Sequence, residues 1–107
     1  MTFYEVIEQI NLPCIYGAYQ KKQVLPYISY MGYGQDVFWA DNGAYRRNNL
    51  YQLIYYYKIK DESEEDNIEE TLLDNGFVYD KSEDLYDDGE NLYYIVYSNI
   101  KNLKFGR

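Results

Sequence analysis

Apolar residues recur along this chain with two periods, and the switches between them mark the elements. Phe3, Val6, Ile7 and Ile10 fall at i, i+3, i+4 and i+7, one stripe of a short helix. Thr2 and Glu5 have the spacing of a capping box, which predicts the helix start, and Asn11-Leu12-Pro13 ends it. From Cys14 onward, aromatic and β-branched residues come in runs separated by turn residues, as in consecutive antiparallel strands. These runs predict strands over Cys14–Tyr19, Pro26–Tyr33, Gln35–Ala40 and Ala44–Ile59. Pro26 suits a first strand position, and Gly32 and Gly34 let the chain turn. Asp41-Asn42-Gly43 is the clearest hairpin signal, because Asn and Gly accept positive φ. The long return strand predicts a bulge near Asn48-Asn49.

Helical period returns after Lys60. Asp61 or Ser63 caps a helix running to Asn75, with Gly76 in the position after its C-cap. Ile68, Leu72 and Leu73 form the inward face, and the acidic remainder reads as a solvated face. Glu62, Glu64, Glu65 and Asp66 occupy the first turns, where the helix dipole favours negative charge. Strands over Phe77–Tyr86 and Asn91–Ile100, joined across Asp87-Asp88-Gly89-Glu90, complete the chain. In the last, Tyr93, Ile95 and Tyr97 oppose Leu92, Tyr94 and Val96, which predicts that both faces are covered. The order α-β-β-β-β-α-β-β describes an α+β fold, an antiparallel (mixed) β-sheet with two helices packed against it. Residues 1–100 form a single domain and 101–107 a short tail; a chain of 107 residues supports one modest core.

Composition sharpens the picture. There are sixteen tyrosines against four phenylalanines and one tryptophan, so the aromatic surface has polar tips. Such residues suit strands half buried against a core or a partner. Charge is uneven: residues 1–60 hold four acids and six bases, residues 61–107 fourteen acids and four bases. A net charge of −8 repels phosphate backbones, which argues against sequence-specific nucleic-acid binding. The single Cys14 excludes an internal disulfide, Met1 leads directly into a helix rather than a signal peptide, and no apolar run is long enough for a membrane span. Folding in a reducing cytoplasm is expected.

Catalytic patterns are missing. Without histidine there is no triad, no common zinc site and no ordinary general base near neutral pH. Asp80-x-Ser82-x-Asp84 begins like a calcium loop but has Leu85 where glycine makes the turn and Asn91 where a bidentate Glu belongs. Gly32-Tyr33-Gly34 lacks the third glycine of a dinucleotide site. Neither an enzyme, a metal nor a cofactor is expected. Surfaces remain: Trp39, Asp41 and Asn42 are candidates for a hairpin anchor in a neighbour's groove, with Trp39 equally suited to the domain's own core. Arg46 and Arg47 of one subunit are placed to meet Glu64 and Glu65 of the next.

At these residues the chain resembles a family, the small tail-completion (tail terminator, or head–tail joining) proteins of long-tailed phages and prophages of Gram-positive bacteria. The matching positions are Pro13 with Tyr16-Gly17, Pro26-Tyr27-Ile28-x-Tyr30, Phe38-x-Ala40-Asp41-Asn42, Tyr51-Gln52-Leu53-x-Tyr55-Tyr56, and the Glu-rich helix with Ile68-Glu69 and Leu72. The resemblance spans Thr2 to Tyr97 and rests on the order and spacing of short motifs. It implies a non-enzymatic subunit of a ring, usually a hexamer, on the head-proximal end of the tail tube. Such a ring stops tube growth and joins the tail to the head, so its implied partners are itself, the tail tube protein and a head completion or connector protein. The implied location is the virion, after folding in the host cytoplasm. Acids at Asp84, Asp87 and Asp88 would then line the channel and keep passing DNA from adhering. The competing reading is a small acidic phage-encoded inhibitor or DNA mimic.

Overall fold

The computed structural model describes residues 2–17, 24–39 and 45–103, with backbone alone at 38, 39, 45 and 46. The expected turns at 20–23 and 41–43, the Trp39 and Arg46 side chains, and residues 104–107 lie outside the described residues. The elements are α1 (Phe3–Ile10), β1 (Cys14–Tyr16), β2 (Tyr27–Trp39), β3 (Tyr45–Tyr57), α2 (Glu62–Asp74), β4 (Phe77–Lys81), β5 (Leu85–Asp87) and β6 (Leu92–Asn102). Two helices and one six-stranded mixed sheet make an α+β fold.

Local chemistry sets the helices. The capping box closes in both directions: the Glu5 amide donates to Thr2 Oγ1 at 3.2 Å and the Thr2 amide to Glu5 Oε1 at 2.7 Å. Asn11 ends α1 in the left-handed region at φ 65°. Asp61 is the cap of α2, accepting from the Ser63 amide at 3.1 Å, and Gly76 follows Asn75 at φ 86°. Against expectation, Leu73 is 53% exposed. Ile68 and Leu72 alone carry the apolar contact, and the third inward position of the stripe is Glu65.

The strand order is β1-β2-β3-β6-β4, with β5 pairing the other half of β6. β1 runs parallel to β2, and every other neighbour is antiparallel. Two sequence readings change here. The strands expected at 26–33 and 35–40 are one strand, because Gly32-Tyr33-Gly34 forms a bulge rather than a turn. The strand expected over 77–86 is two, interrupted where Ser82 turns its hydroxyl to the Val96 amide at 2.9 Å. The bulge expected at Asn48-Asn49 is absent from that stretch; the extra residues are Tyr33 in β2 and Asn99, at φ 52°, in β6. β6 continues through Lys101 and Asn102, so the strand outruns the expected domain end by two residues.

The main core cluster lies on one face of the sheet. Ile28, Leu53, Tyr55, Ile95, Tyr97 and Ile100 meet Val6, Ile7 and Ile10 of α1 and Ile68 and Leu72 of α2, all essentially fully buried. Burying each such aliphatic side chain contributes about 1.5–3 kcal/mol. Phe3 stacks on Tyr51 with ring centroids 4.2 Å apart and meets Phe77 edge-on at 5.4 Å. No helix among the described residues lies on the opposite face. Cross-strand register places Tyr27, Ser29, Ile54, Tyr56, Leu92, Tyr94 and Val96 there; Tyr27, Ser29 and Leu92 are buried and the other four half buried. The expectation of two covered faces is thus met at Leu92 and only in part at Tyr94 and Val96.

Candidate functional site

Three arrangements stand out: a charge network that fixes α2, an acidic turn, and a projecting ribbon beside the helix-free face. Glu65 is 3% exposed. Its Oε2 lies 2.7 Å from Lys60 Nζ as an ion pair without hydrogen-bond alignment, and its Oε1 accepts from Lys81 Nζ at 3.2 Å. Lys81 also reaches Glu69 at 2.6 Å, and Glu69 accepts from the Tyr97 hydroxyl at 2.8 Å. Lys60 continues the chain to Asp84 at 3.0 Å, where the Tyr57 hydroxyl donates at 2.5 Å. The network therefore ties α2 to β3, β4, β6 and the β4–β5 connection. Bonds from Tyr57 and then Lys60 hold the Asp84 carboxyl below its usual range. Contacts with Glu65 and Asp84 push Lys60 up, outweighing its desolvation. Burial, then the bond to Glu69, pushes the Tyr97 hydroxyl up.

These contacts change what the acids are free to do. Glu65, expected to face a neighbour's arginines, is committed to Lys60 and Lys81 inside its own chain, and Glu64 is half buried beside it. The outer stripe of α2 is instead Glu62, Asp66, Glu70 and Asp74, all exposed. Of the three acids expected at a channel, Asp84 is tied to Tyr57 and Lys60, and Asp87 accepts from the Gly89 amide at 2.9 Å and the Glu90 amide at 3.3 Å. Asp88 is exposed and is the one left without such a bond among the described residues. Asp80, Ser82 and Asp84 turn to Asn99, Val96 and Tyr57, three separate places. No group of three or more such side chains converges as a cation site among the described residues. Burial, then the charge of Glu8, pushes the Cys14 thiol up, away from the thiolate a nucleophile needs.

The ribbon is the distal half of the β2–β3 hairpin. β1 pairs β2 only as far as Tyr30, and β6 pairs β3 only from Tyr51, so Gly34–Trp39 and Tyr45–Leu50 run as two strands whose outer edges are unpaired among the described residues. The molecule is 51 Å long and 24 by 23 Å across. Val37 is 56% exposed on the ribbon, opposite exposed Arg47, and Trp39, where the expected anchor begins, is the last residue of β2; Asp41 and Asn42 lie outside the described residues. Arg46 follows in β3 opposite Phe38. At its base, Tyr33 reaches across β3: its hydroxyl donates to Asn99 Oδ1 at 2.6 Å and accepts from the Asn99 amide at 2.7 Å. Lys101 pairs with Asp36 at 3.5 Å. A crevice of about 500 Å³ lies between ribbon and body, bordered by Phe3, Gln35, Arg47, Asn49 and Phe77.

Sequence reasoning missed the Glu65 network and the bare sheet face. The first had a signal, since Glu65, Ile68 and Leu72 fall at i, i+3 and i+7, which puts the carboxylate on the apolar stripe. The second had none, because Tyr, Ile and Val read alike whether a helix or a partner covers them. No helix among the described residues is long and apolar enough to cross a membrane. No family model, no curated protein and no solved structure matches the chain.

Proposed function

We propose that this chain is a structural subunit of a phage tail. It assembles with copies of itself as a ring, expected to be a hexamer, on the head-proximal end of the tail tube. The ring ends tube growth and offers the surface that joins the head, with the tail tube protein and a head completion or connector protein as its neighbours. The observation that carries this reading is the pairing of an open-edged ribbon with a helix-free sheet face. Both are surfaces suited to other protein, and neither gathers groups for chemistry. The motif resemblance over Thr2–Tyr97 supplies the tail context. In such a ring Asp88 is the acid best placed to face passing DNA, since Asp84 and Asp87 are engaged in holding their own turns.

Purified particles of the phage encoding the chain test this directly. Its peptides are expected at a few copies per particle and in free tails, and a deletion strain is expected to yield tails of uncontrolled length without heads. Abundance in infected cells with absence from particles overturns the reading. One observation favours the second reading, an acidic inhibitor: Glu62, Asp66, Glu70 and Asp74 form a like-charged stripe with no ion pair among the described residues. A DNA mimic requires binding to a cationic DNA-binding protein that weakens steeply with salt.

A further inference from the structure

We infer that the ribbon of one copy lies across the helix-free sheet face of the next, with its Val37 and Arg47 side down. This deepens the assembly reading above and rests on it for the ring. Each copy then offers one ribbon and takes one, a head-to-tail contact that closes into a ring when the rotation allows.

Dimensions match. The bare face spans five strands abreast (β1, β2, β3, β6 and β5), about 24 Å at 4.8 Å per strand. The ribbon from Gly34 to Trp39 and back from Tyr45 to Leu50 is six residues per strand, about 20 Å long and about 10 Å wide. It therefore crosses the face almost from edge to edge.

Charge favours a second copy that is met ribbon first. Residues 31–50 carry two acids (Asp36, Asp41) and two bases (Arg46, Arg47), net zero, which leaves the whole −8 on the rest of the chain. Copies with this balance repel body to body, and least where the neutral ribbon of one approaches the body of another. Ile15, Ser29, Ile54, Tyr56, Tyr94 and Val96 hold the centre of the receiving face, none of them an acidic or basic side chain, and register puts Asp80 and Asp87 at its β4–β5 edge. Each partner lacks a layer that the other supplies. A two-stranded ribbon with open edges is marginal in water until it packs on something, and the sheet face is half exposed until something packs on it.

The contact is small. A ribbon of these dimensions removes roughly 400 Å² in total, well under the ~1,000 Å² of a stable pair, so one contact alone is weak and short-lived. Trapping is therefore the appropriate test. Val37→Cys and Ile54→Cys, combined in a Cys14→Ser background and treated with a short bismaleimide, are expected to give a ladder of dimers, trimers and higher species. V37C mixed with I54C gives dimers and stops there, and either variant alone gives neither. Circular dichroism checks that each variant is folded. V37C alone linking as well as the pair means ribbons meet ribbons; I54C alone linking means faces meet faces; no ladder means there is no such contact. Each of these three results overturns the inference. Particle mass spectrometry separates it from the tail-end reading: a ladder from a protein absent from particles keeps the contact and removes the tail, and peptides in particles without a ladder do the reverse.

Discussion

The Glu65 network makes an asymmetric prediction. The carboxylate is 4% exposed, whereas the Lys60 and Lys81 side chains that pair with it are 43% and 36% exposed. Removing a buried ion's partners strands its charge, and removing the buried ion leaves two lysines that turn outward to water. Glu65→Met keeps the volume, deletes the charge and is expected to stay within about 1 kcal/mol of the parent or to stabilise it. Lys60→Met with Lys81→Met leaves Glu65 charged against Ile68 and Tyr97, a situation that costs about 3–5 kcal/mol for fully buried pairs. Here about 3 kcal/mol is expected, the low end, because the space vacated by two half-exposed side chains admits water. Adding Glu65→Met to that double variant should recover most of the loss. Urea unfolding followed by circular dichroism at pH 7 reads all three, and a free-energy difference of this size moves the midpoint by about 1–3 M for a slope of about 1–3 kcal/mol/M. The reasoning fails if Glu65→Met is the more damaging change, since the carboxylate would then be a net source of stability rather than a buried charge being compensated.

Three further outcomes follow from the packing and the shifted groups. Ile68→Ala should cost about 3 kcal/mol through its cavity while Leu73→Ala stays within about 0.5 kcal/mol, measured by the same unfolding curves. Thr2→Ala should cost about 1 kcal/mol by opening the capping box of α1, read as a lower thermal midpoint. Burial, then the charges of Glu64 and Asp61, pushes the Tyr55 hydroxyl up to about 12, and Tyr57 and Tyr97 are also raised. A folded value above the unfolded one gives stability that is whole below pH 10 and lost as pH climbs from 10 towards 12. Tyrosinate absorbance should therefore stay short of its full amplitude until circular dichroism is lost, because Tyr55, Tyr57 and Tyr97 ionise only as the fold opens. A single rise near pH 10 with the fold intact refutes it.

Where local chemistry decides, the sequence was legible. Thr2 with Glu5 located α1 to the residue, and Asp61 with Gly76 bracketed α2. Strand propensity likewise found the β regions but not their divisions, because glycine serves a turn and a bulge equally and only the partner strand distinguishes them. Gly32 and Gly34 read as a turn for that reason, and Ser82 reads as a continuation of the strand. Leu73 reads inward by its apolarity and Glu65 outward by its charge; helix geometry ranks them the other way. The ribbon was legible as a hairpin, yet its projection beyond the sheet depends on where β1 and β6 stop pairing, a long-range fact that short motifs do not carry.

Tyr33 and Asn99 are each one residue too many for their ladders, and they clasp one another across β3. Strand side chains alternate, so the extra residue in β2 reverses which numbers, odd or even, face α1 beyond it. Gln35 and Val37 share a side with α1, as do Asn49 and Arg47 opposite them; were Tyr33 itself paired in the ladder, Gln35 and Val37 would turn the other way. The bulge thus absorbs one residue without turning the ribbon over. Deleting Tyr33 would let Gly34 follow Gly32 in the ladder with every other pair kept, so Gln35 and Val37 would hold their side and only the clasp to Asn99 would be lost. A single-codon indel at this point is therefore taken up locally, and the surface that the ribbon shows is insulated from it.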